Sequence, residues 1–173
     1  MTATTKQEMA ALAASGVTYT LELVRKGQVI DREVIHNLMP EQGRNHVVGV
    51  AIKGVTQVPT WYIGLFEGNY TPVDADTAAG FPAAATECTA YAPSTRVEFN
   101  EGAVVAGSAD NTANRAEFTF TSAKTVYGAF MASGQAKGAV TGTLLSAARF
   151  ATAKSVQVDD VLRVTASLSI VSA

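Results

Sequence analysis

Val161-Leu-Arg-Val-Thr-Ala-Ser-Leu-Ser-Ile170 alternates without a break. Leu162, Val164, Ala166, Leu168 and Ile170 are apolar, and Arg163, Thr165, Ser167 and Ser169 between them are polar. A strand turns successive side chains to opposite faces, so this segment sets one face on a core and the other in water. Antiparallel sheets tolerate one wet face, whereas parallel sheets are covered on both. Asp159-Asp160 supplies turn chemistry immediately before it.

The same period of two recurs toward the N-terminus. In Val17-Thr-Tyr-Thr-Leu-Glu-Leu-Val24, Tyr19, Leu21 and Leu23 oppose Thr18, Thr20 and Glu22. Arg25-Lys-Gly-Gln28 reads as a hairpin turn with Gly27 at a position of positive φ, and Val29 to His36 returns as the partner strand. Trp61-Tyr-Ile-Gly-Leu-Phe66 is aromatic and β-branched and reads as a buried strand. Val97 and Phe99 alternate with Arg96 and Glu98, and Phe118 and Phe120 with Glu117, Thr119 and Thr121. Thr125 to Met131, Val140 to Leu145 and Ala151 to Val158 are further strand candidates, with Gly107 to Asn114 a polar turn and Gly134 to Gly138 a break. Many short strands with frequent turn signals predict a mainly β chain built as an antiparallel β-sandwich, with one or two short helices.

The helical candidates are few. Pro40 suits a first helical turn, and Glu41 to Lys53 with Gly54 as a stop reads as a helix. Its valines, together with Gly43 and Gly49, leave a strand from Val47 to Ile52 as the competitor. Thr5 to Ala14 is rich in helix formers and Gly16 is a plausible stop; the alternative is an arm that orders on a partner. The expected organisation is therefore an N-terminal arm or short helix over 1–16 and a single sandwich domain over 17–173. That domain contains a long loop at about 67–95. Four of the five prolines lie in or beside this loop, and part of it, near Ala83 to Ala90, suits a short helix. Connections of this length are usually functional or bound to a partner.

Composition narrows the function classes. Charged residues are 16% of the chain and hydrophobic residues 47%. An average soluble domain carries roughly 25% charged residues. The formal net charge is −2 and no basic stripe is present, which argues against nucleic acid as a partner. The N-terminal residues lack a basic start followed by an apolar core, and no apolar run approaches the ~18 residues of a membrane span. The expectation is a product made and used in the cytoplasm, with no membrane partner. A single cysteine, Cys88, rules out an internal disulfide and reads as a small buried hydrophobe.

No catalytic constellation stands out. A metal site would have to combine His36 or His46 with carboxylates such as Asp31, Glu33 or Glu41, and Cys88 with His46 matches no nucleophile motif. Asp74 and Asp76 lack the spaced oxygen ligands of a calcium loop and suit turns. No cofactor is expected, and the chain is read as a non-enzyme. Among the aromatics, Trp61 and Phe66 read as core. Tyr70, Phe81 and Tyr91 in the long loop are candidate protein contacts, as are Met9 and Leu12 in the arm.

Trp61-Tyr-Ile-Gly-Leu-Phe-Glu-Gly-Asn-Tyr70, followed by Phe81-Pro-Ala-Ala-Ala-Thr-Glu-Cys-Thr-Ala-Tyr91, resembles a group of small tailed-phage virion proteins. Val34-Ile-His-Asn-Leu-Met-Pro-Glu-Gln-Gly43 and the ending from Ser146 to Ile170 are similar to the same group, although the usual Gly-Asp turn before the last strand is Asp159-Asp160 here. The resemblance spans about Thr18 to Ile170. It implies a jelly-roll-like sandwich acting as a capsid cement, or decoration, protein on the virion surface after synthesis in the host cytoplasm. The partners it implies are the major capsid protein and further copies of the chain, as a dimer or trimer. Some proteins of this group are tail proteins, so a tail or host-adhesion component is the alternative.

Overall fold

The computed structural model describes residues 16–170. The strands are β1 (Gly16–Arg25), β2 (Gln28–His36), β3 (Tyr62–Phe66), β4 (Glu87–Cys88), β5 (Val97–Glu98), β6 (Ser108–Asp110), β7 (Ala116–Thr119), β8 (Lys124–Ala132), β9 (Leu144–Val156) and β10 (Val161–Ser169). Two α-helices, α1 (Glu41–Lys53) and α2 (Phe81–Ala84), join them. The expected antiparallel β-sandwich is what forms. One sheet runs β2-β1-β10, with β6 and β7 both on the far side of β10. The other runs β9-β8-β3, with β4 and β5 both on β3.

The alternation that predicts the sandwich is the alternation that fills it. Val17, Tyr19, Leu21 and Leu23 of β1 sit opposite Leu168, Ala166, Val164 and Leu162 of β10. All but Leu168 belong to the buried core, which Ile63, Leu65, Met131 and Phe150 enter from the other sheet. Ile170, which continues the apolar pattern, lies one residue beyond β10 and is exposed. Lys26 and Gly27 both take positive φ, the type I′ geometry that matches strand twist. Asp159 also sits at positive φ, in the turn between β9 and β10.

Short hydrogen-bonded bridges tie the two sheets together along both sides. Leu38 and Ala147 exchange backbone hydrogen bonds of 3.0 Å, joining the chain after β2 to β9. Ala92 donates to Thr119 and Thr121 donates to Ala90, joining the chain after β4 to the end of β7 and the residues that follow it. Lys154 of β9 reinforces the first seam, with its ammonium 2.8 Å from Asp31 and 2.6 Å from Glu33 of β2. Strand edges that would otherwise be open to pairing are thereby used.

Several expectations need correction. Val140 to Thr143 is not a strand: Gly138 and Gly142 take positive φ there, Val140 is exposed, and β9 starts at Leu144. β9 is then one 13-residue strand that runs unbroken through Ser146 to Phe150, between the two expected strands. The helix expected near Ala83 to Ala90 is earlier and shorter, and β4 occupies Glu87–Cys88. The Gly107 to Asn114 turn contains β6. The helix over Glu41–Lys53 forms, ending at Gly54 in the left-handed conformation. The N-terminal candidate from Thr5 to Ala14, with Met9 and Leu12, lies outside the described residues.

Candidate interaction surface

The loop after β3 is packed, not free. β3 sends Ile63 and Leu65 into the sandwich, which leaves Phe66 on the outer face of its sheet. The loop folds over that face and buries Phe81, Ala78 and Ala85 against Phe66, Phe130 and Leu144. Phe81 meets Phe66 edge-on at 5.6 Å between centroids and Phe130 at 5.1 Å. Burying one such ring is worth roughly 1.5–3 kcal/mol.

This packing corrects the expected contact residues. Phe81 and Tyr91 are 1% and 3% exposed, so both are core side chains that present no contact surface. Tyr91 packs edge-on against Phe118 at 5.0 Å, with the Lys137 ammonium 3.7 Å from its ring centroid. Tyr70 is half-buried: its ring leans on Phe81, and its hydroxyl donates to Asp76 at 2.7 Å. That hydrogen bond, with some burial, pushes the Tyr70 phenol up to about 12.

A buried ion pair holds the loop's end. Arg96 donates through Nε to Glu87 Oε1 at 2.9 Å and through Nη2 to Glu87 Oε2 at 2.7 Å. Both side chains are almost fully buried. Arg96 also donates to the carbonyls of Gly134 and Ala139, while Glu87 accepts the Gly138 amide at 2.8 Å. The guanidinium lies 4.9 Å from the Phe130 ring centroid. With each guanidinium nitrogen and each carboxylate oxygen hydrogen-bonded, the pair fixes the loop to the 134–139 turn. Local alternation placed Arg96 on a polar face, and no short-range signal announces a partner nine residues back.

The residues weighed for chemistry are engaged structurally. Cys88 is fully buried opposite Leu65, and burial pushes its thiol up to about 11. His36 is exposed and within 3.0 Å of the Thr18 hydroxyl, and His46 sits edge-on to Trp61 at 5.5 Å. Asp76 accepts the Val73 amide at 2.8 Å, the turn role expected of it. Asp74 binds Arg44 through both oxygens, which holds its carboxyl below the usual range. Among the described residues, no group of three or more His, Cys, Asp and Glu is arranged to hold a metal ion, and no helix is long and apolar enough to cross a membrane.

Apolar surface is exposed around α1. Gly43 lets the helix lie on the β9 backbone: a Cβ there would collide with the Leu145 carbonyl oxygen. Gln42 anchors the same turn, its Oε1 accepting the amides of Ala78 and Leu144 at 2.9 and 2.8 Å. With one face so held, Val48 and Ile52 point outward at 59% and 74% exposure, beside Val55 at 47%. Below α1 lies an open groove of about 440 Å³ whose walls include Leu38, Met39, Val47, Leu168 and Ile170. A second hollow of about 250 Å³, lined by His46, Val50 and Trp61, shares Val47 and Leu168 with it. Ile170 donates to the Gly107 carbonyl, which brings the exposed Val104 and Val105 to the same end.

No protein-family model matches the chain, and no curated protein is found similar to it.

Proposed function

We propose that this chain is a non-enzymatic structural component of a tailed-phage particle, acting as a capsid cement protein. The observation that carries the reading is the exposed apolar side chains on and just after α1, Val48, Ile52 and Val55, with Val104 and Val105 tied by the Ile170–Gly107 hydrogen bond to the groove beside that helix. Large apolar residues grouped on a surface mark a site covered in an assembly, whereas scattered single ones need no explanation. The resemblance of Trp61 to Tyr70, Phe81 to Tyr91 and Ser146 to Ile170 to virion proteins supports the particle as that assembly.

The action would be mechanical. The sheets, tied along both sides, give a stiff body. The apolar end docks on major capsid subunits, and a second contact, to another subunit or another copy of this chain, turns the body into a bridge. Many modest contacts on one shell hold collectively, because each bound copy keeps its neighbouring sites at high effective concentration.

Quantitative mass spectrometry of purified particles tests this. A copy number in fixed proportion to the major capsid protein is expected. A few copies per particle would move the protein to the tail or host-adhesion reading, and absence from particles would overturn both.

A further inference from the structure

We propose that Lys154 and Asp31 condense to an amide, an isopeptide bond that joins the two sheets covalently, with Glu33 moving the protons. The inference does not rest on the phage reading. Asp31 and Glu33 are two residues apart on β2, so both side chains leave the same face of the strand. Both meet one lysine of β9: Lys154 Nζ lies 2.8 Å from Asp31 Oδ2 and 2.6 Å from Glu33 Oε2. The lysine side chain is 4% exposed, and its partner across the sheet is the fully buried Val126. The two carboxyls are placed differently. Glu33 is largely covered and held in position, its Oε1 accepting the Ala151 amide at 2.6 Å. Asp31 is 43% exposed and open to water.

A structural ion pair does not account for this set. A buried lysine needs one partner of opposite charge, and one carboxylate supplies it. The second carboxylate leaves an excess negative charge beside a lysine that water hardly reaches. Burial works against the ammonium and the two carboxylates outweigh it, so the resting form is the ion pair. Passing the ammonium proton to Asp31 sets a neutral amine against a neutral acid and replaces three charges by one. The Nζ lone pair then attacks Asp31 Cγ. The Glu33 carboxylate takes a proton from the nitrogen and delivers it to the departing hydroxyl, which leaves as water through the exposed side of Asp31. One C–N bond forms, one C–O bond breaks, and Glu33 ends as it began; no oxidant or cofactor enters. Reactants fixed in this way reach effective molarities on the order of 10⁵ M or more. Proton transfer by a positioned carboxylate adds roughly 10²–10⁴-fold in rate.

Mass spectrometry of the denatured full-length protein tests the bond. The intact mass is expected to fall short of the sequence mass by one water. Trypsin should release Gly27–Arg32 joined to Phe150–Arg163 through Asp31 and Lys154, a branched peptide uncut at Lys154. Lys154→Arg keeps the cation and removes the primary amine, and Glu33→Gln keeps the shape and removes the proton acceptor; each should restore the full mass. The full sequence mass in the unsubstituted chain would overturn the proposal, whether or not the variants fold. So would a loss of water without the branched peptide, because an aspartate that closes on its own backbone also sheds a water. A branch at Glu33 in place of Asp31 would overturn the assignment of the acyl partner, and a bond that persists in Glu33→Gln would overturn the role of Glu33.

Discussion

The loop after β3 and the end of the sandwich at α1 treat apolar surface in opposite ways. The loop encloses it: Phe81 and Tyr91 are buried, and the Arg96–Glu87 pair closes the enclosure with each of its nitrogens and carboxylate oxygens hydrogen-bonded. The α1 end leaves it open, with Val48, Ile52, Val104 and Val105 all more than half exposed. A long proline-rich connection is therefore not by itself a binding site, and a regular helix is not by itself scaffold. What separates them here is whether the chain supplies its own cover.

The largest expected effect comes from breaking the enclosure. Glu87→Ala leaves a buried guanidinium without its counter-charge, a loss of roughly 3–5 kcal/mol. Urea denaturation measures it, and a loss under about 1 kcal/mol would mean that the pair is solvated, as exposed ion pairs are. Next is Gly43→Ala. Alanine gains about 1 kcal/mol over glycine in a helix interior. The collision is with a backbone carbonyl that cannot rotate away, and overpacking of this kind costs about 1–3 kcal/mol. A net destabilisation of about 1 kcal/mol is expected, whereas a gain would show that α1 is not seated on β9.

A smaller effect, with a definite pH dependence, belongs to the turn at the other end of β1. Arg25 donates to both oxygens of Asp160, at 2.9 and 2.6 Å, and Asp160 accepts the Gln157 amide as well. The Arg25 hydrogen bonds hold this carboxyl below its ordinary value, against the opposing effect of burial. Because the folded pKa is the lower one, this stabilisation is complete above the unfolded value of about 3.9 and is lost as pH falls through the folded value. The melting temperature should drop on acidification below about pH 4, and Asp160→Asn should lower the neutral-pH value and flatten that drop. The smallest effect on stability is expected at the open end. Val48→Asp with Ile52→Asp should stay within about 0.5 kcal/mol per site, as exposed positions do, while association with particles is lost.

Much of the fold was legible because its signals are local. Alternation at Val17–Val24 and Val161–Ile170, the Lys26-Gly27 turn and the Pro40 to Gly54 helix each rest on neighbours a few residues apart. What was not legible depends on distant parts of the chain. Gly43 weakened the helix on propensity alone, yet it is the close approach to Leu145, some hundred positions on, that requires it. Arg96 read as a surface residue because Glu87 and the 134–139 carbonyls are brought to it only by the fold. Phe81 read as a candidate contact because nothing nearby in sequence shows that β3 has a second apolar face to cover, and Tyr91 because its packing partner Phe118 lies far along the chain. The candidate surface was missed for the converse reason: the valines of α1 read only as an argument for a strand over Val47 to Ile52, and their exposure is visible only once Gly43 and Gln42 show which face is held.

Hydrogen–deuterium exchange, comparing the free protein with the protein on purified particles, tests the contrast between the two regions most directly. Protection is predicted over α1, the 54–57 segment and the 104–107 turn, with the 67–95 loop unchanged because it is already covered. New protection confined to the loop, with α1 exchanging as in the free protein, would contradict the account.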